Sequence, residues 1–265
     1  MKKAIPWVIG IVLLAGAGAA IYFWQQKQTP EPQPAPVAAA PAAPIPQVEP
    51  ATHYPVPESS EPPAAAKPLP GLNDSDQLVQ DALAGLIGAE SLKQFVVTPE
   101  IVRHIVVTVD NLPRKTLAVR LNPVKPVGGE FRTTGKEGSL AIAVDNAARY
   151  TPYVGVAEAV NAKKLVAAYG RLYPLFQKAY EDLGYPKGYF NDRLIAVIDH
   201  LLAAPEIQGP IALVVPHVQY QFADPELEAL SAGQKILIRM GSENAVVIKA
   251  KLREIRHELT GPYAK

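Results

Sequence analysis

The stretch NAKKLVAAYGRLYPLFQKAYEDL, residues 161–183, decides the fold class. Leu165, Tyr169, Leu172, Tyr173, Phe176, Tyr180 and Leu183 recur every three or four positions, which lays an apolar stripe along one face of an α-helix. Asn161, just before the run, is suited to cap its first turn. Pro174 removes one backbone bond to the preceding turn, so a kink is expected between Gly170 and Pro174.

A helix with such a stripe needs neighbours to cover it, and the flanking sequence supplies them. Upstream, Asn73 to Asp76 offers caps for Leu78, Val79, Leu83, Leu86 and Ile87, a run that Gly88 stops. Thr98-Pro99-Glu100 opens a second helix carrying Ile101, Val102, Ile105, Val106, Val109 and Leu112; the β-branched content makes a strand the competing reading, although the period of 3.6 fits better than that of 2. Phe131 to Thr134 and Ser139 to Ile142 flank Gly135 to Gly138 and read as a β-hairpin. Downstream, Asn191 or its neighbour caps a helix through Leu194, Ile195, Ile198, Leu201 and Leu202. Ile211 to Phe222 suggests a short, irregular strand pair, because Pro216 lies inside it. Helices are then expected after Asp224, after Ser231 up to Gly241, and over Ala245 to Leu259 with Ser242 ahead of it. The fold class is mainly α: one helical domain over residues 71–265 with a small antiparallel β-hairpin.

Two segments precede that domain. Residues 4–24 carry no charge, and 21 helical residues span ~31 Å, the thickness of a bilayer core. Residues 1–27 therefore read as a transmembrane signal anchor contacting the lipid bilayer through residues 4–24. Lys2 and Lys3 ahead of the span place the N-terminus in the cytoplasm, giving a single-pass protein of a bacterial inner membrane with a periplasmic C-terminal domain. Ala17-Gly18-Ala19 offers the competing reading of a cleavage site. The small-residue run Ala15 to Ala20 also suits a homodimer through the anchor. Residues 28–70 form a disordered Pro/Ala-rich linker, with 14 prolines between Thr29 and Pro70. His53 and Tyr54 stand out in it, with no role assigned.

Net charge is +1 and balanced along the chain, which leaves no electrostatic footprint for nucleic acid. There are 0 cysteines, so disulfides, thiolate metal sites and cysteine nucleophiles are all excluded.

Several stretches together carry a family likeness: residues 106–114, Leu172 to Phe176, Tyr185-Pro186 with Tyr189 to Leu194, and Phe222 to Lys235. They resemble a bacterial family of membrane-anchored proteins, domain of unknown function 3014. The resemblance covers nearly the whole folded domain. It implies an N-terminal anchor plus proline-rich linker; the family has no assigned activity or catalytic residues, so nothing functional carries over.

Candidate chemistry is sparse. Asp192, Asp199 and His200 share one helix, where a carboxylate and an imidazole can do acid–base work; Asp192 as a helix cap and Asp199 as a salt-bridged residue are the plainer readings. Asp110 and Arg114 lie at a helix end and can form a site with Lys125, or simply pair with each other. Six tyrosines fall between residues 153 and 189, and Tyr185 and Tyr189, flanking Pro186 and Gly188, are expected to be an exposed binding pair. No histidine spacing supports a metal, and no motif implies a cofactor. The expectation is a membrane-tethered, non-enzymatic binding or scaffold module for an envelope protein or cell-wall glycan. The alternative is an envelope hydrolase acting on glycan or peptide bonds.

Overall fold

The computed structural model describes residues 53–56 and 68–261, apart from positions 137 and 217. All of these lie in the compact unit that begins at Glu49. Helices α1 (Asp76–Ile87), α2 (Ala89–Phe95) and α3 (Ile101–Asn111) come first. A hairpin of β1 (Thr133–Thr134) and β2 (Ala141–Ile142) follows, then α4 (Thr151–Ala159), α5 (Ala162–Asp182) and α6 (Phe190–Leu202). A second strand pair, β3 (Leu213–Val214) and β4 (Gln221–Phe222), leads into α7 (Pro225–Glu228), α8 (Ala232–Arg239) and α9 (Ser242–Thr260).

Side-chain caps set several of the helix starts. The Asn161 carboxamide accepts the Lys164 N–H at 2.9 Å and opens α5. Asp224 accepts the N–H of Glu226, and Ser231 with Gln234 forms a reciprocal capping box at α8. Asp76 works across elements: its carboxylate receives the N–H groups of Glu100 and Ile101 at 2.8 and 3.1 Å, capping α3 from the first residue of α1. Helix α5 runs unbroken for 21 residues through Pro174, so the proline ends nothing.

The stripe read from the sequence faces inward except at its end, where Leu183 lies past the helix and is exposed. Leu172, Phe176 and Tyr180 of α5 pack against Val79 of α1, Ile101, Val102 and Val106 of α3, and Phe190 of α6. The rings of Phe176 and Phe190 stack 5.8 Å apart at 8°, an arrangement worth about 0.5–1.5 kcal/mol beyond the area it buries. Helix α9 closes the other side, where Leu259 joins Val166, Ile195 and Ile198. The hairpin pairs Thr133 with Ile142 and Thr134 with Ala141, and β3 pairs antiparallel with β4. Leu213 and Phe222 then bury against Ile238.

The helical class and the antiparallel hairpin agree with the sequence reading; the membrane-spanning part does not. No helix among the described residues is long and apolar enough to cross a membrane. The stretch at 4–24 and most of the 28–70 linker lie outside the described residues. The membrane anchor, the lipid contact, the single-pass inner-membrane topology with a periplasmic domain, and the anchor-mediated homodimer are therefore not borne out.

Candidate functional site

Two polar constellations meet at the beginning of α6. In the first, Asp110 is buried at the end of α3, and every oxygen it has is engaged. Its Oδ1 accepts Nε–H of Arg193 at 2.9 Å, its Oδ2 accepts Nη2–H of Arg114 at 2.6 Å, and its main-chain carbonyl accepts Nη2–H of Arg193 at 2.7 Å. The Tyr185 hydroxyl donates to the same Oδ2 at 3.3 Å, and its ring stacks on Tyr180 at 4.6 Å. Burial, first, pushes the Tyr180 hydroxyl up to about 12. The sequence candidates Asp110, Arg114 and Tyr185 thus come together as one closed knot. Lys125 does not join them; it donates to the Lys93 carbonyl at 2.6 Å.

The second constellation reaches back to residues 53–56. Asn191 and Asp192 occupy the first turn of α6 and are buried, 0% and 5% exposed. Asp192 does not cap its own helix. Its Oδ1 accepts the Tyr54 main-chain N–H at 2.8 Å, and its Oδ2 lies 2.9 Å from His53 Nδ1. An ionised carboxylate only accepts, so the imidazole donates. The Asn191 side-chain N–H groups go to the carbonyls of Tyr54 and Pro55 at 3.1 and 3.4 Å, and its Oδ1 accepts the Tyr169 hydroxyl at 3.2 Å. Burial raises the Tyr169 hydroxyl far above the usual phenol range, with Tyr173 and Asp192 adding to the rise. The Tyr54 ring packs against the cluster of Val166, Ile195, Ile198 and Leu259. Outside, His53 lies on the half-exposed ring of Tyr189, centroids 4.1 Å apart.

The expected pair of exposed tyrosines is split between these constellations. Tyr189 is half exposed and meets His53 of the segment, whereas Tyr185 is stacked and hydrogen-bonded into the Asp110 knot. Further along α6, Asp199 is gripped by Arg256. His200 Nε2 lies 2.8 Å from the Ser231 hydroxyl, and its imidazole is held below the usual range by burial and then by Arg193. No group of three or more histidine, aspartate or glutamate side chains among the described residues is arranged to hold a metal.

A family model described as "Protein of unknown function (DUF3014)" matches residues 101–256. The chain belongs to this family. The DUF3014 span runs from the first residue of α3 into the last turns of α9, so it contains Asp110, Arg114, Tyr185, Tyr189, Asn191, Asp192 and Arg193 and leaves His53 and Tyr54 outside. The membrane-anchored character expected with the family is the part that is not borne out. Neither the comparison with curated proteins nor that with solved structures finds a match.

His53 and Tyr54 are the site residues that sequence reasoning left without a role. Tyr54 is the sole Phe, Tyr or Trp between Trp24 and Phe95. A lone aromatic in a proline–alanine spacer is the signal that singles it out.

Proposed function

We propose that the domain is a non-enzymatic binding module that holds a protein partner by an extended chain segment laid over the first turn of α6. One observation carries this reading. Asn191 and Asp192 are buried, yet the side-chain N–H groups of one and Oδ1 of the other point at main-chain groups of residues 54 and 55. Main-chain N–H and C=O groups are what every extended peptide offers, and recognition through them is a recurring way of binding one.

The remaining candidates support binding over hydrolysis. An acid–base residue has to face a substrate. Asp110, Asp199 and His200 each face a fixed protein partner instead: two arginines, Arg256 and Ser231 respectively.

The test is a displayed library of short random peptides screened against the full chain carrying His53→Ala and Tyr54→Ala. A parallel screen uses the same chain with Asp192→Ala added. Peptides enriched on the first and weakened about tenfold or more on the second are expected, the loss of a charge-assisted hydrogen bond. A screen yielding no peptide that depends on Asp192 overturns the reading.

A further inference from the structure

We infer that the start of α6 is a site for an extended tyrosine–proline segment, and that the chain's own residues 53–56 are its occupant in cis. This rests on the binding-module reading and names its ligand class and its resting state.

The argument begins with satisfaction of buried polar atoms. A buried carboxylate or carboxamide almost always finds a partner. Among the described residues, both oxygens of Asp192 and both N–H groups of Asn191 find theirs in residues 53–55. Remove the segment, and two side chains at one helix start, buried while it is in place, lose these partners together. The position also suits a carboxylate, because the helix dipole favours negative charge in the first turn.

Sequence selection comes from three further features. Tyr54 and Val56 both precede prolines, which disfavours the α region for them and keeps the segment extended, with its N–H and C=O groups presented rather than paired internally. Tyr54, partly buried, packs against the apolar cluster of Val166, Ile195, Ile198 and Leu259, which rewards an aromatic at that position. The residue before it meets the Tyr189 ring and Asp192 Oδ2 together, which rewards a flat donor such as imidazole. The preferred ligand is therefore histidine–tyrosine–proline, or a close relative of it.

Because the occupant is tethered, its effective concentration is on the order of millimolar, and a competing peptide must overcome it. The test uses a fluorescein-labelled synthetic peptide with the sequence of residues 49–60, measured by fluorescence anisotropy against the full chain. The His53→Ala/Tyr54→Ala chain is expected to bind it about tenfold or more tightly than the wild-type chain, with His53→Ala alone intermediate. Adding Asp192→Ala to the opened chain, or replacing the peptide's own tyrosine by alanine, is expected to cost about tenfold. His53 is half exposed, so the single variant does not disturb the core and keeps the comparison valid if the double variant unfolds. Equal binding by wild-type and opened chains overturns occupancy in cis. An opened chain that ignores this peptide but binds library peptides through Asp192 overturns the ligand assignment and spares the module. Failure with both probes overturns the two together.

Discussion

Asp110 and Arg193 stand 83 positions apart and meet through two hydrogen bonds, side chain to side chain at 2.9 Å and side chain to main chain at 2.7 Å. The pair ties the end of α3 to the start of α6, so it fixes the turn on which Asn191 and Asp192 sit. The carboxylate is nearly water-free while the guanidinium is about one-third exposed, 3% against 30%. Removing the acid therefore leaves Arg193 and Arg114 a route to solvent, while the main-chain carbonyl of residue 110 keeps its bond from Arg193.

Asp110→Ala is expected to cost on the order of 2–3 kcal/mol, below the upper range for a fully buried pair. Arg193→Ala is expected to cost less, because Arg114 still holds the carboxylate. Urea unfolding of both single variants and the double variant gives the coupling. A coupling indistinguishable from zero would mean that the pair is not the tie between the two helices.

Asp76 makes a similar connection at the other end of α3. It accepts the N–H groups of Glu100 and Ile101, and Glu100 sits at φ 50°, a left-handed conformation that a glutamate adopts only when its surroundings hold it there. Asp76→Ala is expected to destabilise the chain by about 1–2 kcal/mol, the upper part of the range for losing a helix cap. Asp76→Asn, which keeps one acceptor oxygen, is expected to lose roughly half of that. Thermal melts of the two variants rank them, and equal losses would argue against a capping role.

Much of this framework is legible in the sequence because its signals are local. Asn161, Asp224 and Ser231 announce helix starts by residue type, and the α5 stripe announces its buried face by spacing. Helix α2 was not foreseen, because it begins directly after Gly88, whose φ of 83° turns the chain rather than ending the helical region. Helix α4 was also missed: Thr-Pro opens it, but Gly155 and a scatter of apolar residues give no single stripe, and Val154 alone is buried. The site was less legible still. Asp110 and Arg193, like Tyr54 and Asn191, are joined across long stretches of chain, and a hydrogen-bonded pair leaves no periodic trace.

Gly233 gives a case where two effects oppose and their sizes decide. It lies inside α8, where alanine is favoured over glycine by about 1 kcal/mol on intrinsic propensity. An added Cβ, however, would stand 2.6 Å from the Leu201 Cδ2 and 3.1 Å from the Leu112 carbonyl oxygen. That oxygen is fixed, since it accepts the Gly233 N–H at 2.9 Å. Overpacking of this kind costs about 1–3 kcal/mol, so Gly233→Ala is expected to be net destabilising. A rise in urea midpoint would show that α8 can shift away from α6 without loss.

The last expectation concerns pH and rests on His200. Burial, and then the Arg193 guanidinium two turns earlier on the same helix, hold its imidazole below the ordinary value of 6.5. The Ser231 hydroxyl, which caps α8 and meets the imidazole, carries no charge to offset this, and Gln234 donates to the His200 main-chain carbonyl instead. Below about pH 6.5 the unfolded chain takes up the His200 proton before the folded chain does. Protons then favour unfolding, and stability falls as the pH drops from there toward the depressed folded value. His200→Gln removes that proton and keeps a polar group near Ser231. Its loss of Tm between about pH 7.5 and about pH 5.5 is expected to be smaller than that of the wild-type chain, with the two curves running parallel above about pH 7.5. An equal loss in both chains would mean that His200 takes up its proton at the same pH folded and unfolded, and would place the acid sensitivity elsewhere.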